Sequence, residues 1–570
     1  MSFTLAIVFI ISAFATCIWT YRRVLPQPIP GIPYKSSSSK RLLGDLTDVL
    51  KCRQQTGEMW SYVRDCALEL KSPIFQMFMS GPTGKPWVVI ADFWESYDLQ
   101  MNRQGEFDRS TFLADVFGPL LPGNHVWMPS NETFRAHRRL IRDTMSPDFL
   151  NNVAAPAIHT SIQDLLALWR EKIRVAPGVP FAADKDIVRG VVDLIMSASL
   201  GEQTNLNKTQ TEMLSCLDAV DPPADANALA DFPVAEEASV YRAVRTLVDS
   251  IQIGMSSPLP RHHMNFALRF YPSLAAARRV TDDLMTRVLA KAWAKFSRGQ
   301  DGGVVSTAAD LLMKREAQSA TKANREVVYD TRAIRDELFG FYLAGHETTS
   351  TTLHWAVKRL SHHPDIQSSL RSALWKAYPR AFEEGRLPTA HEMAYSNVPY
   401  LDAFIEENHR LGTTIPTIIR RATRDAVVLG HTIPKGTDVF MIMNGPSFQL
   451  PALPVEESKR SASSQETRRR YGQWNAADVE TFRPERFLTT DEDGRTRFDP
   501  FSGPVLPYGV GLRSCFGIKL AMMELRVILT MVVWSFELQP LAPPMSTFKA
   551  VDVNTHRAEQ VILKLVEVAY

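Results

Sequence analysis

Little in this sequence would tie the chain together covalently. Five cysteines, at positions 17, 52, 66, 216 and 515, are spread over 570 residues, and no two form a Cys-x-x-Cys pair. That spacing argues against a disulfide framework and against a zinc ribbon, and it fits a reducing compartment. Charge of one sign is equally scarce. The 64 Lys and Arg stand against 62 Asp and Glu, a net +2, so the balance gives no reason to expect nucleic acid as a partner. No internal repeat is visible. Charge is missing from Phe3 to Thr20, and proline is missing from Thr331 to His363. What remains, 45% apolar and 22% charged, is ordinary globular composition. Length alone would set a prior of three or four domains.

The uncharged N-terminal run is close to the lower limit of the ~17–25 residues that span a bilayer. Tyr21-Arg22-Arg23 follows it, and only the α-amino group is positive before it, so the positive-inside rule places the following domain in the cytosol. Ala13-Phe14-Ala15 resembles a signal-peptide cleavage site, but the missing basic n-region favours an uncleaved anchor. Pro26, Pro28, Pro30 and Pro33 then form a stiff spacer ahead of Ser36 to Ser39. The organisation expected is an anchor over 1–23, a Pro/Ser-rich linker over 24–39, and one globular domain over 40–570. Residues 73–92 predict two strands, Ile74–Met79 and Trp87–Ala91, around a Gly81-Pro82-Thr83-Gly84 turn. From there to Pro364 the chain reads mostly as helix. Asn131 and Asn207 head glycosylation sequons, which go unused in a cytosolic domain.

The stretch richest in chemistry is Pro507-Tyr508-Gly509-Val510-Gly511-Leu512-Arg513-Ser514-Cys515-Phe516-Gly517, followed by an apolar helical run from Ile518 to Trp534. Its glycines permit positive φ and close backbone approach. Cys515 then precedes a helix N-terminus, where free N–H groups and the dipole favour a thiolate, and Arg513 adds a cation. A lone cysteine is otherwise a small buried hydrophobe. No second Cys or His stands nearby at zinc-ligand spacing. The stretch resembles the haem-binding signature of the cytochrome P-450 superfamily, F-x-x-G-x-R-x-C-x-G, with Tyr508 in place of Phe and Gly511, Arg513, Cys515 and Gly517 matching. The resemblance implies that Cys515 is the axial ligand of a haem b iron.

Three further segments carry the same resemblance in the same order. Phe134 to Arg139 lies on a basic helix that would otherwise be a solvated face. It resembles W-x-x-x-R with Phe134 replacing Trp, which implies that Arg138, with His137 beside it, binds a haem propionate. Ala344-Gly345-His346-Glu347-Thr348-Thr349 interrupts the apolar face of the proline-free helix. Alone it reads as a Ser/Thr kink. It resembles the oxygen-binding-helix motif [AG]-G-x-[DE]-T-[ST], which implies that Glu347 and Thr348 relay protons. Glu407-Asn408-His409-Arg410 alone is a modest i, i+3 pair. It resembles E-x-x-R, which implies a structural network of Glu407, Arg410 and the later Arg486. Arg420, five residues before Asp425, looks like a second propionate partner, with Arg421 as its rival. Arg513 completes the implied cofactor-binding set. Ser447 to Trp474 departs from the family pattern, and its polarity predicts an exposed loop.

The fold implied is mainly α with small β-sheets, the cytochrome P-450 fold, preceded by an N-terminal transmembrane helix. The reaction implied is monooxygenation. The roughly 50 residues after Cys515 are too few for a flavin domain, so electrons are expected from a membrane-bound NADPH-dependent reductase. By the same resemblance, residues 107–128 and 205–255, the helix face before Ala344, Thr413–Ile419 and Ser546–Val551 would roof an apolar pocket for a lipophilic substrate. The anchor and insertion resemble those of filamentous-fungal enzymes of terpenoid or polyketide secondary metabolism. An endoplasmic-reticulum, single-pass location with a cytosolic catalytic domain follows from that resemblance. A haem-thiolate isomerase or dehydratase, and a non-catalytic haem sensor, are the rival readings. The intact Glu347–Thr348 pair weighs against both.

Overall fold

The proline-free stretch forms the longest helix among the described residues, Arg332–His362, 31 residues long. Thr331 caps it by accepting a hydrogen bond from the Ile334 N–H, and Pro364 starts the next helix, Pro364–Ala377. In this computed structural model, residues 3–79, 81, 84–221, 225, 228–257, 259–296 and 304–569 are described. Pro82 and Thr83 of the expected turn, and 222–224 and 226–227 of the expected pocket roof, lie outside them. The chain divides into two units. One comprises Met1–Ser110, Pro416–Glu480 and Gly503–Ser514; the other comprises Thr111–Ile415, Thr481–Ser502 and Cys515–Tyr570.

The first unit is built on a five-stranded sheet, in the order Ile74–Met77, Trp87–Ile90, Asp438–Ile442, Thr417–Ala422 and Phe107–Arg109. Ile74 pairs with Ile90 antiparallel, Val88 with Val439 parallel, and Arg109 with Arg420 antiparallel. Val88, Ile90, Val439 and Met441 are fully buried, as continuous apolar strands covered on both faces require. A hairpin, Ala426–Val428 with His431–Ile433, turns through Leu429 and Gly430, both at positive φ.

Two expectations in this unit are corrected. The proline segment is not a free spacer up to residue 39. Gln76 accepts from the Ile29 N–H and donates to the Ile29 and Ile32 carbonyls, and Ile32 is buried. Packing therefore begins near Ile29. The Ser447–Trp474 segment is not an exposed loop either. It contains the helix Ala462–Tyr471, and Arg460, Ser464 and Thr467 are buried. The helix Phe3–Val24 leaves its described side chains exposed up to Arg23. Among the described residues it is the one helix long and apolar enough to cross a membrane.

The second unit is mainly helical. Its core gathers Ile162, Trp169, Leu194, Tyr342, Leu353, Phe404, Leu529 and Trp534 from successive helices. Small two-stranded sheets edge it, among them Ala550–Asp552 with His556–Ala558. The helix Pro399–Gly412 carries Glu407, and the helix Ile518–Ser535 follows Cys515. Asn131 caps the helix Glu132–Ile141 by accepting from the Phe134 N–H. Asn207 is fully buried and donates to the Asp186 carbonyl, so its side chain is closed to a glycan.

Candidate active site

The stretch before the cysteine is shaped by what glycine permits. Gly509 and Gly511 have φ of 61° and 74°, and a Cβ on Gly511 would lie 2.5 Å from the Gln100 carbonyl oxygen. Cys515 retains exposed surface, yet the protein atoms around its thiol desolvate it and push its pKa up. The Gly517 N–H and the charge of Arg138 pull the other way and favour the thiolate.

Arg138 stands on the Glu132–Ile141 helix, its guanidinium 5.2 Å from the Phe516 ring and 5.8 Å from that of Phe134. Phe134, where the family motif has Trp, is buried. His137 Nδ1 lies 2.7 Å from Glu337 Oε1, and His125 Nδ1 lies 2.7 Å from Glu337 Oε2. The His125 N–H also donates to Glu337. Burial alone would raise the Glu337 pKa, but the two histidines and that N–H outweigh it and hold the carboxylate ionised. One ring nitrogen of His137 is thus committed to this triad.

A second cluster of cations lies in the sheet of the first unit. Arg420 is buried opposite Arg109 across the antiparallel pair. Burial first, then the like charges of Arg109 and Arg513, push the Arg420 pKa well below the ordinary guanidinium value. Burial pushes Arg109 down to about 10, and its Nε makes no hydrogen bond. Arg421, the rival, is already bound to Asp438 through contacts of 2.8 and 2.7 Å. The pleat explains the difference, since neighbouring strand residues face opposite sides.

Ala344 to Thr349 lie within unbroken helix. Gly345 allows the helix Asp184–Leu200 to approach, because a Cβ there would lie 2.8 Å from Ile195 Cδ1. The Glu347 carboxylate accepts from Asn554 Nδ2 at 3.1 Å and Thr555 Oγ1 at 3.5 Å, and burial raises its pKa. The Thr348 hydroxyl donates back to the Ala344 carbonyl at 2.7 Å, so acid and hydroxyl are adjacent in sequence without bonding each other. The next residue, Thr349, donates to Glu524 Oε2 at 2.6 Å. Glu524 is fully buried, its Oε1 makes no hydrogen bond, and burial pushes its pKa up to about 8.

Glu407, Arg410 and Arg486 meet in the core of the same unit. Arg410 Nε and Nη2 approach the two Glu407 oxygens at 2.7 and 2.8 Å, and Arg486 Nε reaches Oε1 at 3.0 Å. The Arg483 N–H donates to the same oxygen, and the Thr481 carbonyl accepts from both arginines. These side chains are 3% exposed or less, so the fork geometry is completed out of water.

The cytochrome P450 family model matches residues 46–446 and 468–559. The chain is 44% identical, over 97% of its length and 96% of the relative's, to the cytochrome P450 monooxygenase GME11363 of Pestalotiopsis microspora. It is 33% identical to the cytochrome P450 monooxygenase TRI13 of Fusarium sporotrichioides, over 96% of this chain and 97% of that one. Among solved structures it resembles the cytochrome P450DA haem domain (TM-score 0.65, 17% identity, 96% and 99% of the two chains). It also resembles the cytochrome P450 CYP102L1 (TM-score 0.67, 18% identity, 95% and 100%). The chain belongs to the cytochrome P450 family and is a monooxygenase, an oxidoreductase whose family uses a haem-thiolate iron. The residues present fit that group. A thiol accepts an N–H beside a cation, and buried arginines crowd together with like charge, which suits a ligand bearing carboxylates.

Proposed function

We propose that this chain inserts one atom of dioxygen into a lipophilic small molecule, the other atom leaving as water. The two electrons would come from a membrane-bound NADPH-dependent reductase. When bound through Cys515, haem b supplies dioxygen activation. Arg138, Arg420 and Arg513 hold its propionates, with His137 acting through the ring nitrogen that Glu337 leaves unused. Arg109, which no local motif marks, joins them because strand pairing sets it beside Arg420.

The observation that carries this reading is the buried carboxyl of Glu347, its pKa raised by burial, oriented by Asn554 and Thr555 one residue from the Thr348 hydroxyl. Glu347 delivers protons from its buried carboxyl, and Thr348 Oγ1 passes them on in a water-linked relay. Glu407, Arg410 and Arg486 take no part in the chemistry and hold the surrounding core. The similarity to fungal monooxygenases over nearly the whole chain supports a place in terpenoid or polyketide secondary metabolism. The apolar Phe3–Val24 helix and Arg22-Arg23 support an anchor over 1–23 in the endoplasmic-reticulum membrane, with residues 40–570 as the cytosolic catalytic domain. Residues 24–39 lead into that domain and are partly packed on it.

The test is incubation with reductase, NADPH, isotopically heavy dioxygen and a lipophilic extract of the source organism, read by mass spectrometry. A product bearing one heavy oxygen is expected. Conversion of a substrate without NADPH use or heavy-oxygen uptake would replace this reading with the isomerase or dehydratase.

A further inference from the structure

Residues 447–467 fall outside the family match, yet they are bonded into the first unit through buried side chains. Arg460 meets Asp92 through two parallel contacts of 2.8 and 2.7 Å, both side chains 2% exposed or less. Asp92 is also the N-cap of the helix Phe93–Met101, accepting from the Glu95 N–H at 2.9 Å. Ser461 donates to Asp98 on the same helix, and Tyr471 packs its ring 5.1 Å from Phe93.

The far side of this assembly is the stretch that leads into Cys515. Gln100, on the same helix, lies against Gly509 and Gly511 and accepts from the Val510 N–H at 3.4 Å. Tyr471, Phe93 and Leu506 share one buried cluster, with Val510 packed against it. Trp474, just past the insertion's helix, donates to the Pro504 carbonyl at 3.1 Å, and a Cβ on Gly503 would lie 2.5 Å from its ring. Segment 503–514 is therefore held through the Phe93–Met101 helix and directly by Trp474.

We propose that the 447–467 insertion is a brace that positions the loop presenting Cys515, with Arg460 as its positioning residue. The inference rests on Cys515 being the iron ligand. A ligand loop built from glycines has little stiffness of its own, so its geometry must come from what packs on it, as partners behind a metal ligand generally set its orientation. The Arg460–Asp92 pair suits that task because it is dry, bidentate and fixed to a helix N-terminus. Removing one member leaves a buried charge, whereas removing both does not.

The experiment uses the full-length haem-loaded protein and four variants: Arg460→Met, Arg460→Lys, the double variant Arg460→Met with Asp92→Asn, and Lys172→Met. The last breaks the buried Lys172–Asp186 pair of the other unit as a control for plain destabilisation. Melting temperature, haem content and the rate at which the thiolate-type carbon monoxide spectrum decays are read for each. Arg460→Met is expected to keep its haem while that spectrum decays about tenfold faster. Arg460→Lys should recover part of the wild-type rate, and the double variant should still decay faster than the wild type, because it leaves no unpaired charge but has lost the brace. Lys172→Met should lower the melting temperature without hastening the decay. If Arg460→Met does not accumulate, the double variant against Lys172→Met carries the comparison. Decay rates in Arg460→Met and the double variant equal to that of the wild type would overturn the brace. A wild type that holds haem without a thiolate-type spectrum would instead overturn the ligand assignment on which it rests.

Discussion

At the residue scale, two buried carboxyls flank the same turn of helix and lead to different predictions. Glu347 is oriented by Asn554 and Thr555, and burial raises its pKa. Glu347→Gln keeps the shape and removes the transferable proton. Product formation should fall about a hundredfold, while reductase-driven NADPH use continues and releases reduced oxygen instead. Product and NADPH measured in one assay test this, and an unchanged ratio would remove Glu347 from the relay. Glu524 has a folded pKa of about 8 against an ordinary 4.5. The folded chain holds that proton more tightly than the unfolded chain, so this group makes stability fall as pH rises from about 4.5 to about 8. The slope within the window approaches 1.4 kcal/mol per unit. Glu524→Gln still accepts from Thr349 and should flatten that part of the profile. Urea titrations from pH 5 to 9 read it, and a slope equal to that of the wild type would show that another group supplies it. Cys515, Glu347, Glu407 and Arg410 could be picked out of the sequence because each stands in a short local pattern. Arg109, Asn554 and Glu337 could not. Arg109 comes to Arg420 only through strand pairing, and Asn554 comes to Glu347 through a turn some 200 residues on. An acid such as Glu337 on an amphipathic helix looks like any solvated glutamate until two histidines fold onto it.

At the element scale, periodicity carried most of the information. The helix Arg332–His362, the strand pair near residue 80 and the helix after Cys515 all follow from proline placement, alternation and glycine. The two corrections share one cause. A Pro-rich run and a Ser/Arg/Glu-rich run are polar by composition, and composition predicts exposure. A single well-placed partner overrides it. Gln76 ties down Ile29 and Ile32, and Asp92 ties down Arg460. The N-terminal helix is the opposite case, apolar in sequence and exposed in the fold. Phe9 and Phe14 are 72% and 67% exposed. Each lysine placed in the middle of a spanning helix costs about 2.5–3.5 kcal/mol of insertion. The double variant Phe9→Lys with Phe14→Lys should therefore move the full-length protein from the membrane fraction toward the soluble one. Retention of the wild-type distribution would mean that another surface holds it to the membrane.

At the scale of the whole molecule, each unit has its own core and its own share of the cationic groups. The sheet unit carries Arg109, Arg420 and Arg513; the helical unit carries Cys515, Arg138 and the acid–threonine pair. Like charges buried together are unfavourable unless an anion joins them, so the Arg109, Arg420 and Arg513 cluster of the sheet unit gains from an anionic ligand. The central claim is that Cys515 gives this fold its chemistry. It is tested most directly by the carbon monoxide difference spectrum of the reduced full-length protein beside its Cys515→Ser variant. The wild type should give the thiolate-type band and the variant should lack it, whether or not haem remains bound. A thiolate-type band that persists in Cys515→Ser would contradict the assignment and move the ligand elsewhere in the chain.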